Sequence, residues 1–208
     1  MSPTLIRSLP RSPLAAAALA LMLIWIALAP AAMAAQDAGA FVAGLGTEGI
    51  QALGPQVSSS DRFARLRQLL QQDFDLPGIG LFALGRYRWV ATPQEQQEFF
   101  RLYPDFTVRA LSARLDEFGG ASLRVNGRRS LGNETIVSTE IVRADGRGVP
   151  FDWYLTDIDG QYRITDVVVA GVSMKIALRD QFASWIQGNG GRFSSLLAVL
   201  RQQIAQAR

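Results

Sequence analysis

Apolar residues recur at positions 38, 41, 42, 45, 50 and 53, the spacing of one helix face. This first helix is loosened by Gly44, Gly46 and Gly49 and stopped by Gly54-Pro55. Ser60 or Asp61 is placed to cap a second helix, with Phe63, Leu66, Leu69, Leu70 and Phe74 near one face and Arg62, Arg65, Arg67 and Gln71 outside. Thr92-Pro93-Gln94-Glu95 predicts a third start: Thr92 caps, Pro93 takes the first helical position and Glu95 completes a capping box. Phe99, Phe100, Leu102, Tyr103, Phe106, Val108, Leu111 and Leu115 carry that helix toward Glu117 and a stop at Gly119-Gly120. Pro104 lies inside it and predicts a kink or break near Leu102-Tyr103.

After Gly120 the period changes to two. Leu123 and Val125, Ile136 to Val142, Val149-Phe151-Trp153-Leu155 and Tyr162 to Val169 read as four strands. Asn126-Gly127, Asp145-Gly146 and Asp159-Gly160 offer turns, and Asn126-Gly127 is equally a bulge within a longer first strand. Short turns between consecutive strands give an antiparallel meander. Helical spacing returns with Ile176, Phe182, Ala183 and Ile186, stops at Gly188-Asn189-Gly190-Gly191, and resumes from Phe193 to about Ala205. The expected class is α+β: a four-stranded antiparallel meander with helices on one face.

One segment fits none of these patterns well. Gln71 to Tyr87 sets Phe74, Leu76, Ile79, Leu81, Phe82 and Leu84 among Pro77, Gly78, Gly80 and Gly85. So many apolar side chains call for burial, and the proline and glycines weaken a regular helix. A bent, buried element leading into a core or cavity is expected.

The first thirty-four residues read as a targeting segment: Arg7 and Arg11, then the uncharged run Leu14 to Ala29, then Ala32-Met33-Ala34 before a cleavage point at Ala35. The apolar run falls short of the ~20 residues that span a bilayer. Residues 35–208 are then one domain's length. Export points to the periplasm or to secretion. The 21 basic and 18 acidic residues give a formal net charge of +3, and without Arg7 and Arg11 the 19 against 18 leave +1, so charge carries little meaning. No basic block marks a nucleic-acid footprint.

The chain has no histidine and no cysteine. That removes the commonest general base, the usual zinc ligands, thiol nucleophiles and disulfides. Ser173 and Lys175 form the only Ser-Lys spacing, against the simpler reading that Lys175 opens a helix in solvent. Asp157-Ile158-Asp159-Gly160 lacks the later ligands of a calcium loop and fits a hairpin turn better. No phosphate-cradling glycine motif occurs. No catalytic residue, metal site or cofactor is expected.

Several blocks, in order, resemble the MlaC family, the toluene-tolerance auxiliary components of an ABC transporter. They are Asp73-Phe74-Asp75-Leu76-Pro77-Gly78-Ile79-Gly80 with Leu84-Gly85-Arg86-Tyr87, Ala91 to Phe99, Val149 to Leu155, Tyr162 to Met174, and Arg179 to Ile186 with the Gly188-to-Gly191 stop. Pro104 and Thr165 depart from the common pattern, where an acidic and an aromatic residue are more usual.

The resemblance implies a periplasmic carrier that holds phospholipid tails in an apolar cavity between sheet and helices. It also implies exchange with an outer-membrane lipoprotein complex and with an inner-membrane ABC transporter that has a lipid-binding substrate subunit. A branch called HpnM implies a hopanoid as the alternative cargo. Each methylene hidden from water contributes about 0.8 kcal/mol, so a carried chain must be covered almost completely. The expected lining is Leu76, Ile79, Phe82, Phe99, Tyr103, Phe106, Phe151, Trp153, Leu155, Val167, Val169, Val172, Met174, Phe182 and Ile186. Arg86, Arg88 and Arg143 are candidates for a headgroup or partner surface, and Gly78, Gly80 and Gly85 for hinges.

Two readings of other classes compete. A small enzyme would use Asp152 or Asp166 as acid or base, and an envelope adaptor would have a filled interior.

Overall fold

The structure is a computed structural model and describes residues 37–52, 57–115 and 120–206. The targeting segment, the Gly54-Pro55 stop and the end of the proline-bearing helix at Glu117-Phe118-Gly119 lie outside the described residues.

Helices α1 (Ala38–Ala52), α2 (Ser59–Asp73), α3 (Leu76–Leu84) and α4 (Pro93–Leu115) precede the strands. A 3₁₀ turn, Gly85–Trp89, joins α3 to α4. The strands are β1 (Ser122–Leu131), β2 (Glu134–Val142), β3 (Gly148–Ile158), β4 (Gln161–Val169) and β5 (Val172–Ser173), and α5 (Met174–Gly188) and α6 (Phe193–Gln206) close the chain. The sheet is an antiparallel meander in the order β1-β2-β3-β4-β5.

Five strands replace the four expected. The extra one is only two residues long and pairs Val169 with Val172 across Ala170-Gly171, both at positive φ. Asn126-Gly127 is a bulge inside a ten-residue β1, not a turn. A second bulge between Tyr154 and Leu155 lets β4 change which of its residues face inward.

The caps follow local chemistry. Thr92 and Glu95 exchange the reciprocal bonds of a capping box, Glu95 N to Thr92 Oγ1 at 3.2 Å and Thr92 N to Glu95 Oε2 at 2.9 Å. The cap of α2 is Ser58, not Ser60 or Asp61; its Oγ accepts from the Asp61 amide. Helix α4 runs through Pro104 without a break. Buried Phe99, Tyr103, Phe106 and Val108 lie on both sides of the proline. Burial of about 1.5–3 kcal/mol per large side chain outweighs one lost hydrogen bond.

The 71–87 segment is more regular than its composition suggests. Asp75 caps α3, accepting from Gly78 N at 3.0 Å, and Pro77 sits in the first turn, where its missing N–H costs nothing. Gly85 ends the helix at φ 51° and ψ −129°, a conformation closed to side-chain-bearing residues. The Asp75 amide bonds the Ile164 carbonyl at 2.9 Å, which fixes the start of α3 onto β4.

Two apolar clusters result. The larger joins Leu66, Leu69 and Leu70 of α2, Leu84 of α3, the α4 aromatics, Phe182 and Ile186 of α5, and Phe193, Leu196 and Leu200 of α6. The smaller packs Ala38 and Val42 of α1 on Val137, Leu155 and Ile164 of the sheet. On the sheet's other face, Arg129 donates to Ser138 and Asp152, and Ser138 to Asp152. The helices therefore cover one face, and the other carries this polar network beside the buried Ile136.

Candidate functional site

Between α2, α3, α4, β4 and the start of α5 lies a cavity of about 110 Å³. Its wall is Leu70 and Phe74 of α2, Leu76 and Ile79 of α3, Tyr103 and Thr107 of α4, Asp166 and Val167 of β4, and Met174, Lys175 and Leu178 of α5. The volume is a few water molecules' worth, well below that of a typical small-molecule pocket. A whole acyl chain enters only if the walls part.

Thr107 and Asp166 of this wall are hydrogen-bonded within the protein. Thr107 donates its hydroxyl to the Tyr103 carbonyl at 2.9 Å. Asp166, almost fully buried, accepts from the Ser173 hydroxyl at 2.5 Å, from Val167 N at 2.8 Å and from Lys175 N at 3.0 Å. Burial pushes the Tyr103 phenol far above its ordinary pKa, so it stays neutral. What faces the hollow is mainly hydrocarbon, which suits an apolar guest.

Five of the fifteen sequence-expected residues border this cavity: Leu76, Ile79, Tyr103, Val167 and Met174. Phe99, Phe106, Phe182 and Ile186 sit beside it in the helical core, where Phe99 stacks on Tyr103 at 5.3 Å between ring centroids. Leu155 belongs to the cluster under α1. Phe151 and Trp153 stack on the covered face of the sheet, half-buried, with Trp153 Nε1 donating to Thr139. Val169 is half-buried opposite Phe151, whereas Val172 is 55% exposed and Phe82 37% exposed. The expected lining omits Leu70, Phe74, Thr107, Asp166, Lys175 and Leu178. Leu70 was legible as part of an apolar helix face, and Phe74 as part of that face and of the 71–87 segment.

Arg86, Arg88 and Arg143 are absent from the cavity wall. Arg86 donates to the Tyr87 hydroxyl, Arg88 lies 4.5 Å over the Trp89 ring, and Arg143 sits at the β2–β3 turn. The cations near the hollow are on α5. Lys175 Nζ lies 5.3 Å and the Arg179 guanidinium carbon 5.4 Å from the centre of the Phe82 ring.

The glycines of α3 divide in role. Gly80 is a close-approach position: a methyl group there would lie 3.0 Å from a Phe100 ring carbon and 3.3 Å from those of Phe99 and Tyr103. Gly85 supplies the positive φ that lets the chain leave α3.

The groups proposed for catalysis have structural work. Ser173 caps α5, accepting from Ile176 N at 3.2 Å while donating to Asp166, so no Ser-Lys pair forms. Partial burial raises the Asp152 pKa, but hydrogen bonds from Ser138 and Arg129 outweigh it, and the carboxyl titrates below its usual range. Asp157 accepts from Gly160 N in the β3–β4 hairpin turn. Among the described residues no group of three or more acidic side chains is placed to hold a metal ion, and no helix is long and apolar enough to cross a membrane.

The profile of the MlaC protein family matches residues 50–202. The chain belongs to the MlaC family. Among its relatives, this MlaC-family chain is 24% identical over 145 residues to the toluene tolerance protein ttg2D of Pseudomonas putida, covering 69% of this chain and 67% of that one. It is 22% identical over 151 residues to the intermembrane phospholipid transport system binding protein MlaC of Haemophilus influenzae, covering 68% and 69%. A solved phospholipid-binding protein from Ralstonia solanacearum, in complex with a phospholipid, shares the fold with a TM-score of 0.67 at 20% identity, over 82% of this chain and 98% of that one.

Proposed function

We propose that this MlaC-family chain is a periplasmic phospholipid carrier and not an enzyme. Residues 1–34 export it, and residues 35–208 form the lipid-binding domain. It moves phospholipid between the outer and inner membranes as the soluble part of an Mla-type system. Its partners are an outer-membrane lipoprotein complex and an inner-membrane ABC transporter with a lipid-binding substrate subunit.

The observation that carries this reading is the hydrocarbon-walled hollow at the meeting of α2, α3, α4, α5 and β4, whose Thr107 and Asp166 are already bonded within the protein. Lys175 apart, such a wall offers little to a polar substrate and rewards an alkyl chain at about 0.8 kcal/mol per methylene. The relatives' phospholipid chemistry supports the same reading. Asp166 and Asp152, the candidates for acid–base work, are held in a helix cap and in a network with Arg129 and Ser138. Seating a whole tail requires α3 and α5 to separate from β4, and the bordering residues Phe99, Phe106 and Phe182 then join the lining.

Native mass spectrometry of protein purified from cells tests the proposal. Co-purified phospholipid, or phospholipid taken up from vesicles, is the expected result. Protein that is always lipid-free and stays so after exposure to vesicles overturns it. Extraction of a polycyclic lipid instead of phospholipid moves the cargo to the hopanoid class.

A further inference from the structure

Lys175 is the only lysine of the chain, and it is a half-buried residue of the cavity wall. Its ammonium lies 5.3 Å from the centre of the Phe82 ring, a residue that is 37% exposed. Arg179, one turn further along α5, lies over the same ring with its side chain 43% exposed. Phe82 thus has two cationic groups of α5 as neighbours of its ring.

Their anionic surroundings are thin. Asp180 bonds Arg179 from the next position in sequence, with 66% of its own side chain exposed, a pairing that water screens. Asp166 borders the cavity, but its oxygens are occupied by Ser173 and by the amides of Val167 and Lys175. No carboxylate among the described residues forms an ion pair with Lys175. The wall of the hollow thus holds one cation, Lys175, and a second, Arg179, lies one turn further along α5 beside the same ring, paired only with a largely exposed acid.

We infer that Lys175 and Arg179, held on Phe82, form a phosphate-binding clamp at the cavity mouth. The inference rests on the carrier reading and assigns residues to the charged end of the cargo. A lipid inserted tails-first leaves its phosphodiester at the rim. There an ammonium and a guanidinium each form charge-assisted hydrogen bonds to phosphate oxygens, with the guanidinium suited to bidentate contact. Phe82 keeps both cations desolvated on one side and offers an apolar surface to the first methylenes. The clamp recognises the phosphate shared by glycerophospholipids and leaves the outer headgroup unread. The same chemistry would also hold a free phosphate ion.

The test compares wild type, Lys175→Gln, Arg179→Gln, the double variant and the charge-preserving Lys175→Arg. Each full-length mature protein is equilibrated with vesicles containing phosphatidylglycerol or, separately, diacylglycerol, and loading is read by mass spectrometry. Thermal unfolding monitors integrity. Loss of about tenfold in phosphatidylglycerol loading per charge removed is expected. Diacylglycerol loading should stay unchanged, and Lys175→Arg should remain near wild type. Inorganic phosphate, titrated calorimetrically into the lipid-free protein, separates the two sources. Charge-dependent binding of the ion without any phosphate-dependent lipid preference assigns the clamp to free phosphate. Equal phosphatidylglycerol loading by wild type and the folded double variant, with no binding of inorganic phosphate, overturns the clamp and leaves the carrier standing. Failure of wild type to take up either lipid overturns the carrier reading and the clamp with it.

Discussion

Asp166 accepts the hydroxyl of Ser173 at 2.5 Å, and this bond ties the last long strand to the first turn of α5. The same carboxylate receives the amides of Val167 and Lys175. Asp166→Ala strands these donors in a nearly closed site and should cost about 3 kcal/mol in a urea titration, from penalties of about 1–3 kcal/mol per buried unsatisfied group. Asp166→Asn retains one acceptor oxygen and should cost less. Folded Asp166→Asn should still load lipid, which an essential acid or base would not allow.

Phe182 and Phe82 were equivalent candidates by sequence and should behave differently. Phe182 is fully buried against Phe99, Tyr103, Phe106 and Trp185. Phe182→Ala should lower stability by about 3–5 kcal/mol. Phe82→Ala, at an exposed position, should lie within about 1 kcal/mol of wild type. Thermal unfolding of the two proteins side by side checks the contrast.

Filling the hollow should separate carrying from folding. Ile79→Trp and Met174→Trp each place an indole against the cavity wall. Phospholipid loading from vesicles should fall about tenfold or more, with a stability change no larger than the ~1–3 kcal/mol of ordinary overpacking. Undiminished loading would move the lipid site elsewhere.

Asp73, the last residue of α2, should make the protein less stable as pH rises. Burial and then the charge of Glu48 raise its pKa above the ordinary 3.8, with Arg163 offsetting only part. The folded state holds this proton more tightly than the unfolded chain does. Stability therefore falls as pH climbs from the unfolded value through the folded one, and the penalty is complete at neutral pH. Asp73→Asn should be more stable than wild type at pH 7, with the advantage disappearing below the ordinary pKa. Urea midpoints between about pH 3 and pH 8 test both parts.

Local signals carried most of the fold. The Thr92–Glu95 box, the glycine stop after α5 and the period-two runs each depend on neighbours within a few residues. Three consecutive serines before Asp61 made the α2 cap ambiguous, because each offers the same oxygen and only the register of the buried Leu66, Leu69 and Leu70 face selects Ser58. The strand Val172–Ser173 has no pattern of its own, since two residues cannot show a period. Pro104 was read as a breaker because the apolar contacts of its helix come from α2, α5 and α6, all distant in sequence.

The site was less legible than the fold. Alternation put Phe151, Trp153 and Leu155 on one face, but whether a residue there meets α1 or a hollow depends on where that helix ends. Lys175 looked like a solvated helix opener. In the structure it lines the hollow and its ammonium lies near the ring of Phe82 of α3, a neighbour distant in sequence.

Among the described residues, strand β1 ends the sheet without a neighbour on its outer side. Its bulge at Asn126 interrupts the even row of amides and carbonyls that an incoming strand would match, and Arg124, Arg128 and Arg129 crowd the approach with long charged side chains. A second copy meeting this rim would find a broken register, flanked by arginines already paired with carboxylates of their own chain. Such an edge disfavours strand-to-strand addition of one molecule to the next.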